Sequence, residues 1–173
     1  MESDKINLNT IIESLSDKMK ASFGAEIISS EILYDIFTIT IKKDKIVDIL
    51  QFLYDDEALQ FQFLTTLCGM HFPDAKEPLG VVYHLHSFKN NLRIRLKLYT
   101  TLENPVVASV TSIYRTANWM ERETYDFFGI QFEGHPNLKR ILNVEDMIMF
   151  PLRKEFPLED QVRVDKDDSM FGR

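Results

Sequence analysis

Cysteine is nearly missing from this chain: of its 173 residues, only Cys68 carries a thiol. That excludes an intramolecular disulfide, a paired-cysteine redox motif and a cysteine-based zinc site. It also excludes the four-thiolate cage that usually holds an iron–sulfur cluster. Positive charge is in deficit too, with 20 Lys+Arg against 27 Asp+Glu, a net −7. A nucleic-acid binder needs a basic face to displace counterions, and docking on anionic lipid needs one as well, so both are disfavoured. Long apolar runs are absent; nothing approaches the roughly 20 residues that cross a bilayer. Met1-Glu2-Ser3-Asp4 lacks the basic-then-apolar layout of a signal peptide, and a soluble, cytoplasmic chain is the expectation. The six glycines form neither a dinucleotide fingerprint nor a P-loop, and no Ser or Thr occupies a nucleophile elbow.

What remains is globular composition, 45% apolar and 27% charged, enough for a self-sufficient core. Leu8, Ile11, Ile12, Leu15, Met19 and Phe23 recur at helical spacing over residues 7–23, with Asn7 or Asn9 as the cap. Residues 25–30 form a short apolar stretch, and residues 32–41 then alternate as a strand. Ile46, Ile49, Leu50 and Leu53 mark a helix over 45–54, entered by Asp44. Residues 61–68 fit a strand or a buried helix equally. Residues 80–88 and 92–99 form the strongest strand pair, joined by Lys89-Asn90-Asn91. Leu92, Ile94, Leu96 and Leu98 then face inward, while Arg93, Arg95 and Lys97 face out, either as a solvated antiparallel face or as a surface for an acidic partner. A strand over 105–113 leads to a helix over 116–128, which Gly129 stops in left-handed conformation. This order predicts an α+β fold: a small, largely antiparallel sheet with helices packed on one face, plus an extended C-terminal tail. Residues 1–130 read as the domain and 131–173 as the tail.

Candidate chemistry is sparse. His84 and His86 share a strand face, and with His71 they could chelate a metal and serve an independent hydrolase. An ordinary half-wet surface is the simpler reading. Cys68 lacks an activating base nearby in sequence and reads as a buried, inert thiol. On the helix, Glu123 and Asp126 are i,i+3 neighbours. Two carboxylates on one face call for water or cations, or else form a paired acid–base site. Arg122 is in reach of Asp126 at i,i+4, and Arg140, Arg153 and Lys154 are further cations. The tail is therefore expected to fold back onto this helix, or a partner to do so. Phe150, Leu152, Phe156 and Leu158 lie on a proline-punctuated strip that cannot bury them by itself. Trp119, if its ring is core, should anchor the body.

One segment is specific. Glu121-Arg122-Glu123-Thr124-Tyr125-Asp126-Phe127-Phe128-Gly129-Ile130 is followed by Gly134-His135-Pro136 and Arg140-Ile141-Leu142. Pro151-Leu152-Arg153-Lys154-Glu155-Phe156-Pro157-Leu158 comes next. Together these resemble the C subunit, the 30 kDa subunit family, of respiratory NADH:quinone oxidoreductase (complex I). Met149-Phe150 departs from the usual Gly-His before Pro-Leu-Arg-Lys, and Glu155 replaces the usual Asp with the charge kept.

The resemblance implies a cofactor-free structural subunit of the hydrophilic arm that docks on the D subunit of complex I and the neighbouring iron–sulfur subunits. FMN, the iron–sulfur clusters, NADH and quinone would belong to the rest of the complex, which couples electron transfer to proton translocation. It places the chain peripherally, on the cytoplasmic side of the bacterial inner membrane, attached only through the complex. The interface would draw on Glu121, Arg122, Glu123, Asp126, Gly129, His135, Pro136, Arg140, Pro151, Leu152, Arg153, Lys154, Phe156 and Pro157. Relatives serve as scaffolds in membrane-bound hydrogenases and F420-type dehydrogenases, the alternative assignment.

Overall fold

The computed structural model describes residues 2–156. A five-stranded mixed sheet forms the body, with strands β1 (Ile27–Leu33), β2 (Ile36–Ile41), β3 (Phe63–His71), β4 (Leu79–Ser87) and β5 (Leu92–Thr100) in the order β1-β2-β5-β4-β3. Only β2 and β5 run parallel, so the sheet is largely antiparallel as expected. Helices α1 (Glu2–Phe23), α2 (Ile46–Asp55) and α3 (Ala117–Phe128) complete it, with a small parallel pair of β6 (Val106–Ala108) and β7 (Gln131–Glu133) on either side of α3. No helix among the described residues is long and apolar enough to cross a membrane.

The β4–β5 hairpin matches its pattern. Its register runs unbroken from Leu79↔Thr100 to Ser87↔Leu92, and Asn91 takes the left-handed turn position with φ 47°. Asn90 ties the turn to the loop after α2 through Nδ2 to the Ala58 carbonyl at 2.7 Å. Leu92, Ile94, Leu96 and Leu98 are buried alongside Val81, Tyr83 and Leu85 of β4. Phe37 and Ile39 of β2 join the same core, as do Ile49, Leu50 and Leu53 of α2 and Leu15 and Met19 of α1. Phe23 meets Phe52 edge-on at 5.6 Å. Lys18 on α1 pairs with Asp56, just beyond α2, at 2.6 Å.

Three readings of the first half change and a fourth is settled. Helix α1 begins at Glu2, so Asn7 and Asn9 lie within it rather than capping it. The 32–41 strand is a hairpin, because Tyr34 and Asp35, at φ 51° and 62°, form a tight turn with both central residues left-handed. Asp44 belongs to a short 3-10 turn before α2, whose cap position is Lys45 with no side-chain cap hydrogen bond. Residues 63–71 are a strand with a register shift between Leu64 and Thr66. That bulge lets both Leu64 and Leu67 reach the core and hides the alternation.

In the second half, the strand expected over 105–113 is only β6, followed by a turn at residues 111–113. Helix α3 ends as expected, with Gly129 at φ 72° and its N–H donating to the Tyr125 carbonyl at 2.8 Å. It packs on β3, where a Cβ on Gly69 would stand 2.4 Å from the Phe128 ring.

Candidate functional site

The site is built at the C-terminal end of α3, where the last turn leaves carbonyls without helical partners. The chain after β7 returns to supply them. Arg140 Nη1 donates to the Asp126 carbonyl at 2.9 Å, Arg153 Nε to the Phe128 carbonyl at 2.6 Å, and the Leu152 N–H to the Phe127 carbonyl at 3.2 Å. Two guanidinium groups at a helix C-terminus also suit the negative end of its dipole. The expected fold-back of the tail onto this helix is therefore made by the chain itself.

Asp126 is the centre of the arrangement. Its carboxylate accepts from Arg140 Nη1 at 2.8 Å, from the N–H groups of Ile141, Leu142 and Asn143 at 3.1, 2.8 and 3.0 Å, and from Asn143 Nδ2 at 3.0 Å. Burial alone would raise its pKa. The hydrogen bonds from Asn143, Leu142 and Arg140 outweigh burial and hold the carboxyl well below the usual carboxylate range. Arg140 continues outward to the Met147 carbonyl at 2.6 Å and the Met149 carbonyl at 3.3 Å. One ion pair thus shapes the whole 141–149 loop.

Phe150 closes the knot. Arg153 and Arg140 lie over its ring at 4.6 and 5.1 Å, and a Cβ on Gly129 would fall 2.6 Å from it. The site needs glycine there for the left-handed turn and for this ring alike. His135 fixes the start of the tail: its Nε2–H donates to the Asn118 carbonyl and its Nδ1 accepts the Asn137 N–H, both at 3.0 Å. Lys154 donates its backbone N–H to His71 Nδ1 at 3.0 Å.

Cys68, expected to be buried, is exposed on the edge strand β3. The other expected site residues separate. Glu123 is exposed while Asp126 is buried, so the two do not share an environment, and an ionised Asp126 pinned by five donors offers no proton for acid–base work. Arg122 does not reach Asp126; it donates to the Lys139 and Arg140 carbonyls at 3.0 and 3.2 Å and lies over Trp119 at 4.7 Å. Trp119 is 64% exposed, so its ring is not core. Pro136 is exposed, Pro151 half-buried, and Pro157 and Leu158 lie outside the described residues. Phe156 is half-buried, and Lys154 is exposed with its ammonium 5.8 Å from the Phe72 ring.

Glu121 has a role that spacing could not reveal. It is fully buried, accepting from Ser109 Oγ at 2.7 Å and the Val110 N–H at 2.8 Å. Burial pushes its pKa up to about 7 against the opposing pull of those two bonds. It bolts α3 to the segment after β6. Nor do the three imidazoles meet. His71 stands opposite Leu79, five residues along β4 from His84, or ~17 Å. His84 instead accepts from Arg95, and among the described residues no three potential ligands cluster around a point.

The outer surface of the pinned loop is apolar. Leu142, Val144, Ile148, Met149 and Leu152 are 69, 67, 93, 47 and 50% exposed within eleven residues of chain (142–152). Isolated exposed apolar residues are ordinary; here five fall on one stretch of chain that follows the buried Arg140.

Comparison with known proteins identifies the family. Residues 39–162 match the family model described as respiratory-chain NADH dehydrogenase, 30 Kd subunit. The C subunit of NADH-quinone oxidoreductase from Methylobacterium sp. (strain 4-46) is 40% identical over 91% of this chain and 74% of its own. Its namesake from Roseiflexus sp. (strain RS-1) is 42% identical over 82% of each. Among solved structures, the trypsin-resistant fragment (1-134) of Nqo5 superposes with a TM-score of 0.62 at 28% identity, covering 74% of this chain and 99% of that one. A chain of the archaeal membrane-bound sulfane sulfur reductase shares the fold, with a TM-score of 0.69 at 22% identity over 84% of this chain and 85% of that one. With this family's model covering most of its length and such relatives at about 40% identity, the chain belongs to the 30 kDa (C-subunit) family of the respiratory NADH-quinone oxidoreductase, complex I.

Proposed function

We propose that this chain is a docking subunit of the hydrophilic arm, without a cofactor or chemistry of its own. In this reading residues 1–130 are the docked body and 131–173 run along the D subunit, with iron–sulfur subunits adjoining. FMN, the clusters, NADH and quinone are handled by those neighbours, and this chain serves electron transfer and proton translocation by keeping them in register. It sits on the cytoplasmic side of the inner membrane and is attached through the complex alone. Asp126, Gly129, His135, Arg140, Pro151 and Arg153 shape the docking loop, and the interface also draws on Leu152, Lys154, Phe156 and Pro157.

The observation that carries the reading is the exposed row Leu142, Val144, Ile148, Met149 and Leu152 on a loop whose backbone is fixed from within. A loop pinned this firmly spends little ordering entropy on binding. The test is recovery of the complex from native membranes carrying Leu142→Asp with Ile148→Asp. Both side chains are exposed, so the isolated chain should melt as the parent does. Its recovery with the other subunits should fall about tenfold or more, the scale of one lost interface anchor. Unchanged recovery would overturn the reading.

A further inference from the structure

The sheet has a second face, on which Arg93 is exposed and Arg95, Lys97 and His84 are half-buried. There β5 sets three cations in a row: Arg93 opposite His86, Arg95 opposite His84, and Lys97 opposite Val82. Alternate residues on a strand put these charges ~7 Å apart, close enough to repel. The chain as a whole carries −7, yet among the described residues none of the three forms an ion pair. Glu31 of β1 reaches this face two strands away, through Thr38, roughly 10 Å from Arg95, and pairs with none of them.

Arg95 turns instead to a neutral group, its Nε donating to His84 Nε2 at 2.9 Å. That bond requires the unprotonated imidazole. Burial, then Arg95 and Lys97, lower the His84 pKa and favour this form. The guanidinium is thereby held in place with its charge uncompensated. Beside the row, Phe63 and Phe88 contact each other at 5.3 Å while remaining 42 and 69% exposed. A solvated face interleaves both signs of charge, whereas interface cores are enriched in arginine and aromatic rings.

We propose that this sheet face docks an acidic segment of a neighbouring protein chain, its carboxylates pairing with Arg93, Arg95 and Lys97 beside the Phe63–Phe88 contact. Arginine's fork suits carboxylates in two-point contact, and the repulsion within the row is relieved only when they arrive. The surface is distinct from the arginine-pinned loop, which is built on α3, and it adds a second contact to the docking role.

The isolated full chain, labelled with an amine-acetylating reagent, provides the first arm of the test. A poly-L-glutamate peptide should slow acetylation of Lys97 by about threefold or more relative to Lys20 and Lys76. Added salt should erase the difference, and Arg93→Glu should remove it. Equal slowing at all three lysines overturns the proposal. Stronger protection of Lys97 by phosphatidylglycerol vesicles than by the peptide also overturns it, assigning the face to lipid. In the second arm, a carbodiimide applied to the complex from native membranes should join Lys97 to an Asp or Glu of another chain. A Lys97 acetylated as fast in the complex as in the free chain sinks the proposal even where the loop variants uphold docking. A chain that never enters the complex sinks the docking reading, and the peptide arm still decides this one.

Discussion

Asp126 and Arg140 form a buried ion pair, 2.8 Å between Oδ1 and Nη1, that organises the returning chain rather than the sheet core. Removing Arg140 takes away the counter-charge of the buried carboxylate and leaves it four neutral donors, at a cost approaching the about 3–5 kcal/mol of a broken buried pair. Arg140→Ala should therefore speed amide exchange at Ile141, Leu142 and Asn143 far more than in β4 and β5. Uniform acceleration across both regions would contradict the local role. The pH dependence has a definite sign. The folded carboxyl has a lowered pKa, so its contribution is complete above the ordinary aspartate value, ~3.9, and declines below it, as the unfolded chain takes up a proton that the folded carboxyl still refuses, until the folded pKa is passed. Protection of this loop should persist at pH 4 and fail only in stronger acid.

Glu121 behaves in the opposite sense. Its folded pKa, raised from 4.5 to about 7, means that the native state keeps a proton the unfolded chain has released across that interval. Its contribution is thus most favourable below the unfolded value and is lost as pH rises towards 7. Glu121→Gln keeps an acceptor for the Val110 N–H and offers a donor to Ser109 while removing the titration. Denaturant melts at pH 5 and pH 8 should show the parent losing on the order of 1–3 kcal/mol more than the variant between the two. Parallel losses would place the ionisation elsewhere.

The elements that could be read from sequence were those whose local signals agree with their burial. The β4–β5 hairpin combines alternation with asparagine turn residues, and α3 combines helical spacing with Gly129. Tyr34-Asp35 escaped because alternation continues through it and Tyr34 is no customary turn residue, although both residues adopt positive φ. The Leu64–Thr66 bulge shifted the apolar parity of β3. At the site, the tail's need for an acidic partner was legible from Arg140, as was its approach to α3, whereas Arg153 meets the Phe128 carbonyl instead of an acid of the helix. Which carboxylate would be buried was not, because Glu121 and Asp126 find their donors at Ser109 and at residues 140–143 through tertiary contacts that no spacing on α3 encodes.

Gly69 offers a test of how closely α3 sits on the sheet. A Cβ there would enter the Phe128 ring at 2.4 Å, and its nearest contacts are all atoms of that one ring. Gly69→Ala should cost about 1–3 kcal/mol as the helix or the ring is displaced. Adding Phe128→Leu should recover part of that loss, a coupling that a double-mutant cycle in urea would read. Additive costs would mean the two residues do not share the space.

Trp119 separates a surface role from a core one. A core tryptophan truncated to alanine costs about 3–5 kcal/mol, but this ring is 64% exposed and held chiefly under the Arg122 guanidinium at 4.7 Å. An exposed cation–π contact is worth about 0.5–1 kcal/mol, so Trp119→Ala should lower stability by no more than about 1 kcal/mol. Arg122 also donates to the Lys139 and Arg140 carbonyls, and its side chain loses a lateral support when the indole is removed. The stability loss should therefore be small while exchange near Arg140 rises. A loss of core size in a thermal melt would mean that the indole is buried in solution and that α3 is turned from the orientation described above.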